Sequence, residues 1–232
     1  MNVERQTQPK RLTRRGFLTA LGFTVGALSL GKSSWIEASP RGEPEDYFPP
    51  LNRATILYPT KNSQQAETWQ IDANPRAFFD ALEYIAWREQ GKAGLTKLSL
   101  FLEQNSIPVE FVDVLPGGGQ YIPSVWILEP RGPRIRYLTT YGENLTTVPK
   151  YIDVERRADM AGRRVYDHYL GYHEVFHVWQ EIRNPLSFAF ALINMSEKHP
   201  FEKEARIKSW EIMSERNKLG RLDQFFIPTR IK

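Results

Sequence analysis

The sequence predicts an α+β fold, a small and mostly antiparallel sheet followed by helices. Short alternating or apolar runs, split by Gly and Pro clusters, occupy residues 54–72 and 109–141 on either side of a helical stretch, while helical periodicity takes over for good near residue 159. A chain of 232 residues with 41% hydrophobic and 12% aromatic content has enough apolar material for one domain with a real core, and little for two.

The elements follow in order. "ATILYP" (54–59) and "ETWQID" (67–72) read as short strands joined through "TKNSQQ". From Pro75, Phe78, Leu82, Ile85 and Ala86 recur at helical spacing; Asn74 stands where a cap is needed, Pro75 at the first helical position and Gly91 at the stop. "TKLSLFLEQ" (96–104) reads as a second, short helix. "VEFVDVL", "SVWILEP" and "RIRYLTTY" are strands split by "PGGGQ" and "RGP", and "RIRYLTTYG" is expected at the sheet edge. Helices are expected over about 159–182, 185–197 and 200–217, with Pro185 and Pro200 at the breaks. No internal repeat or low-complexity tract is present.

The domain is expected to begin near Arg53. Residues 39–52, "SPRGEPEDYFPPLN", are rich in Pro and acidic groups without periodicity and read as a linker or extended lead-in. Charge divides the chain differently from what its net +4 suggests. Residues 1–38 carry six cations and two anions, which leaves 25 of each sign in 39–232. The basicity belongs to the N-terminal segment, and a neutral remainder gives no reason to expect a nucleic-acid partner.

That segment runs from a basic stretch into an apolar run, Gly16 to Leu30, and then small and polar residues. At about 1.5 Å per residue the run reaches roughly 22 Å, short of a ~30 Å hydrocarbon core, so a signal peptide is expected and not a stable membrane span. Thr13-Arg14-Arg15-Gly16-Phe17-Leu18 resembles the twin-arginine export motif, with Thr19 where a Lys is often found. The resemblance implies export of an already folded, often cofactor-loaded protein to the periplasm, or to a thylakoid lumen or the extracellular space. Cleavage is expected after Ala38, or near Gly31. The chain has no cysteine, which excludes disulfides, thiolate metal sites and a cysteine nucleophile. Any metal must sit on His and carboxylate.

The chemistry concentrates in "YHEVFHVWQE", residues 172–181. On a helix, His173 and His177 lie four residues apart, so both imidazoles leave one face and can meet one ion. Glu174 lies about 100° round from His173, near enough for a water beside the ion and badly placed to ligate with the pair. Val175, Phe176, Val178 and Trp179 make the helix apolar apart from this chemistry. The plainer alternative is one satisfied core histidine and one surface histidine. A third ligand decides between them.

The sequence here resembles the gluzincin branch of the zinc metallopeptidases, in which a glutamate from a later helix joins the two histidines. Glu202-Lys203-Glu204-Ala205 matches the Glu-x-x-Ala around that third ligand, 25 residues beyond His177. The resemblance covers roughly residues 160–210, also in the manner of small bacterial proteins with a minimal metallopeptidase domain. It implies a zincin-like fold for residues 53–232, Zn2+ as cofactor, His173, His177 and Glu202 as ligands, and a polypeptide substrate paired along an edge strand beside the motif helix. Glu204, about 200° round from Glu202, cannot face the same ion. Where many gluzincins carry an Asp that orients a zinc histidine, four residues after the third ligand, this chain has Arg206. Main-chain carbonyls or Asp167 are the substitutes at hand.

The expected activity is therefore hydrolysis of peptide bonds, with Glu174 as general base toward a zinc-activated water. Tyr166, Tyr169, Tyr172 and His199 are the candidate oxyanion donors, and His168, about 140° off the metal face, is expected to be a bystander. Two other readings stay open: a non-catalytic, zinc-stabilised envelope interaction module, and a metal-free module that binds through its aromatic-rich sheet. Glu174 favours catalysis, because a structural site has no use for it. The sequence carries no signal for oligomeric state.

Overall fold

The computed structural model describes residues 42–59, 66–115, 118–124, 131–139, 160–192 and 198–231; side chains are described over the same residues except 56–59, 66–67, 160–167 and 192. The expected export segment, nearly all of "SVWILEP", the side chains of Tyr166 and Asp167, and the end of the helix expected over 185–197 lie outside them.

The chain begins with a short helix, α1 (Pro44–Tyr47), inside the stretch read from composition as a lead-in. Phe48 is fully buried, and Asn52 bonds both the N–H (2.6 Å) and the carbonyl (2.5 Å) of Phe111, as a neighbouring strand would. Pro50 also bridges in parallel to Val109. Four Pro residues and three acids in 39–52 hid a segment whose aromatic residues belong to the core.

β1 (Ala54–Pro59) and β2 (Ala66–Ala73) form the expected antiparallel pair. α2 (Pro75–Leu102) starts where Asn74 accepts from the Ala77 N–H, and it buries Phe78, Leu82, Ile85 and Ala86 completely. Gly91 interrupts it at φ 56°, ψ −138°, so the expected stop and second helix appear as two helical segments meeting at a kink. β3 (Val109–Val112), β4 (Gly119–Ile122) and β5 (Arg134–Leu138) follow, then α3 (Met160–Arg183), α4 (Pro185–Leu192), α5 (Pro200–Lys218) and β6 (Phe226–Arg230). The fold is α+β.

Two three-stranded sheets replace the single sheet expected. One has the order β1-β2-β6 and is antiparallel throughout. In the other, β3-β5-β4, β3 runs parallel to β5 and β4 antiparallel to it. "RIRYL" is thus the central strand and not the edge; among the described residues β3 and β4 are the outer strands, and β4 begins in glycine-rich sequence read as a turn. Linear order cannot report this, because β5 inserts between two strands that precede it. β6 was also missed: it is five residues long, carries Pro228, and gains its ladder only by pairing with β2, about 150 residues earlier.

The core gathers Phe78 of α2, Phe111 of β3, Tyr137 of β5, and Phe225 and Phe226 at the C-terminal end. Tyr137 and Phe226 meet edge to face at 4.8 Å, and Phe78 and Phe225 at 5.0 Å. α3 lies across this core, packed against α2, α4, α5 and β4.

Candidate metal centre

α3 is buried on every side from Tyr169 to Ile182, so its polar groups there must find partners within the protein. Gly171 permits this depth, since a Cβ there would lie 2.2 Å from the Phe225 ring. His173 and His177 are 8% and 5% exposed and project together. α5 approaches their face with Glu202 in its first turn, behind Pro200 and the His199 cap. Tertiary packing thus supplies the third donor.

The donor atoms converge. His173 Nε2 and His177 Nε2 are 3.1 Å apart, and the Glu202 carboxylate lies 3.3 Å from the first and 3.2 Å from the second. Ligand atoms 2.0–2.1 Å from a tetrahedral zinc are about 3.3 Å from one another, so the triad has the spacing of such a site before any rearrangement. His173, His177 and Glu202 are the group among the described residues that could hold a metal ion. Glu204 faces elsewhere: Arg183 grips it with two hydrogen bonds, at 2.9 and 2.8 Å.

The hydrogen-bond network adds a chemical reason for a cation. Gln180 donates its amide protons to the Phe201 carbonyl and to Glu204, both at 2.9 Å, so its oxygen faces His177 Nδ1 at 2.8 Å and Nδ1 must donate to it. A neutral His177 then presents a lone pair at Nε2, opposite a carboxylate and a second imidazole. His173 Nδ1 has no partner among the described residues, so a proton on its Nε2 faces Glu202 in the metal-free protein, in the place a bound cation would take. Burial alone would raise the Glu202 carboxyl, but hydrogen bonds to both histidines override it and hold the group well below the usual carboxylate range. Burial lowers His173; at His177 burial is outweighed by the hydrogen bond to Glu202 and the charge of Glu174, and the net shift is upward.

Glu174 lies next to this triad and belongs to none of its contacts. It is 2% exposed; burial pushes its carboxyl up to about 8, against the opposing pull of His177 and a hydrogen bond from the Tyr121 main chain. β4 reaches it because position 119 is glycine: a Cβ there would lie 2.6 Å from Glu174 Oε1 and 2.8 Å from Leu170 Cδ1. The strand is fastened to α3 about two turns further on, where buried Glu181 accepts from the Tyr121 hydroxyl at 2.6 Å, the Ser124 N–H at 3.1 Å and the Ser124 hydroxyl.

The remaining candidates divide. Tyr172 gives its hydroxyl to Asp223, which is also paired with Arg216, and His168 Nδ1 meets the Asp223 carbonyl at 2.7 Å; both hold the C-terminal segment, and His168 stands outside the metal triad as expected. His199 caps α5 through the Phe201 N–H. Tyr169 is buried with its ring 5.7 Å from that of His173. Arg206 bonds Glu202 at 2.9 Å, fixing the carboxylate where the family's Asp would orient a histidine. Sequence reasoning passed over Gln180, Gly119 and Glu181. Of these only Gln180 left a local signal, three residues beyond His177 and so on its helical face.

No family model, curated protein or solved structure matches the chain.

Proposed function

We propose that the chain is an exported zinc-dependent peptidase, with His173, His177 and Glu202 as ligands and Glu174 as general base. The observation that carries the reading is a buried carboxylate, Glu174, beside three converged donor atoms and ligating nothing; its Oε2 has no hydrogen-bond partner among the described residues. Such an atom is costly to bury without a use. When bound, the zinc supplies Lewis acidity to a water and to the scissile carbonyl.

This chain's residues do the rest. Glu174, drawn toward its carboxylate form by a dication on the triad, takes the proton of the attacking water and delivers it to the leaving amine. β4, the strand beside α3, offers main-chain groups to an extended polypeptide, in place of the strand expected from sequence order. Among the described tyrosines, Tyr169 stands beside His173 and is the preferred oxyanion donor. Export by the twin-arginine route rests on residues 13–18 alone. Among the described residues no helix is long and apolar enough to cross a membrane.

The depth of burial favours a second reading, a zinc-stabilised interaction module without turnover. One experiment separates the two. Elemental analysis of the full chain should find about one zinc per chain, lost in His177→Ala and in Glu202→Ala, and retained in Glu174→Gln. Peptidase activity that Glu174→Gln lowers by roughly 10²- to 10⁴-fold supports the enzyme. Bound zinc without activity in any form supports the module, and a folded wild type that takes up no zinc overturns both.

A further inference from the structure

We infer that Gln180 is the positioning residue of this metal centre, fixing the tautomer and direction of His177 through a relay that ends at Arg183. The inference rests on the metal reading above and supplies the histidine-orienting group that Arg206 cannot be. Each link has one permitted polarity. Arg183 has only protons to give, and it gives two to Glu204. Glu204, gripped by two Arg183 nitrogens, can only accept from the Gln180 amide. The Phe201 carbonyl takes the other amide proton. A flipped amide would set its oxygen against two acceptors at 2.9 Å, so the oxygen must face His177.

The consequence reaches the metal position directly. His177 Nδ1 carries the proton, and Nε2 keeps its lone pair aimed at the point shared by His173 and Glu202. Because Phe201 and Glu204 flank Glu202 on α5, the same two bonds also set α5 against α3 at the level of the third ligand. Gln180 is fully buried, so water cannot stand in for either partner. His173 Nδ1 has no such partner among the described residues. The orienting task therefore falls on one histidine.

The test measures zinc affinity by competition with a chromophoric chelator, and the His177 tautomer by ring-nitrogen NMR shifts of the metal-free full chain. Gln180→Leu removes the acceptor, and Gln180→Met removes it while keeping the length of the side chain. We expect both variants to weaken zinc binding by about 10- to 100-fold. Neutral His177 should show its proton on Nδ1 in the wild type and lose that preference in both variants. Wild-type affinity in a folded Gln180→Leu or Gln180→Met, or a wild-type proton on Nε2, overturns the inference. A weakened affinity with the Nδ1 preference unchanged also overturns it, since it marks a packing effect. If the wild type takes up no zinc the metal reading falls by itself, and the tautomer measurement still decides the role of Gln180.

Discussion

The difference of a single methyl group at position 119 separates two properties that are often confounded. Gly119 is not in a left-handed conformation, so alanine fits the backbone, and the atoms in its way are the far ends of Glu174 and Leu170. Those ends can swing aside at a modest cost, about 1–2 kcal/mol for a mild overpacking. The position of Glu174 cannot shift so cheaply, because proton transfer needs it within hydrogen-bond reach of its water. Gly119→Ala is therefore expected to lower the melting temperature slightly, to leave zinc content intact and to reduce kcat by about 10²-fold or more. Calorimetry and steady-state kinetics on one preparation check it; an unchanged kcat would remove β4 from the active site. Position 171 behaves otherwise. There the obstacle is the fully buried Phe225 ring at its base, 2.2–2.3 Å from an added Cβ, and no free end can move.

At the scale of elements, α3 organises the fold as well as the site. Its early turns hold the C-terminal segment through Tyr172 and Asp223, its middle bears the histidines, and its last turns fasten β4 through Glu181 and α5 through Arg183. Gly171→Ala pushes Phe225 away from the helix and so loosens the approach to β6. It should destabilise the protein by about 1–3 kcal/mol, read as a lower denaturant midpoint with an unchanged slope. α2 is tied to α5 on the other side, where Arg88 Nε and Nη2 each donate to Glu215 at 2.8 Å. Much of this was legible in the sequence. Periodicity and punctuation located Asn74, Gly91, Pro185 and Pro200 as boundaries, because caps and breaks act within a few residues. β4 was lost among glycines that a local reading assigns to a turn, and one of them, Gly119, lets the strand approach a carboxylate.

For the molecule as a whole, the metal-free state carries a strain that depends on pH. Glu174 ionises near 4.5 in the unfolded chain and at about 8 in the folded one, so between these values the native state holds the extra proton and its stability falls as pH rises. His173 and His177 shift in opposite directions and partly offset one another. Glu202 acts in the other sense, its contribution being lost as pH falls through the ordinary carboxylate range. The chelated protein should accordingly be most stable on the acidic side of neutrality and lose stability toward pH 8, and Glu174→Gln should flatten that decline. If the triad takes up zinc as proposed, zinc is expected to reverse the slope, since protons no longer compete for the histidines at high pH and bound ligand stabilises according to its affinity. Thermal denaturation at pH 5.5 and pH 8, with and without zinc, checks this: the rise in Tm on adding zinc should be larger at pH 8, and a rise that is equal or smaller there contradicts it.

The sequence by itself determined the helical boundaries, the α+β class, the pairing of His173 with His177, and the choice of Glu202 over Glu204 for their company. Each depends on spacing along one helix or on a resemblance that quotes spacing. Tertiary structure alone decided that β4 and not β5 borders the motif helix, that residues 44–50 close the core, that β6 completes a sheet begun near residue 54, and that Gln180 orients His177. The physical reason is common to all four. Periodicity tells which face of an element is apolar and which side chains share it, but partners brought from distant positions are chosen by packing, and only the folded chain brings them within hydrogen-bond reach.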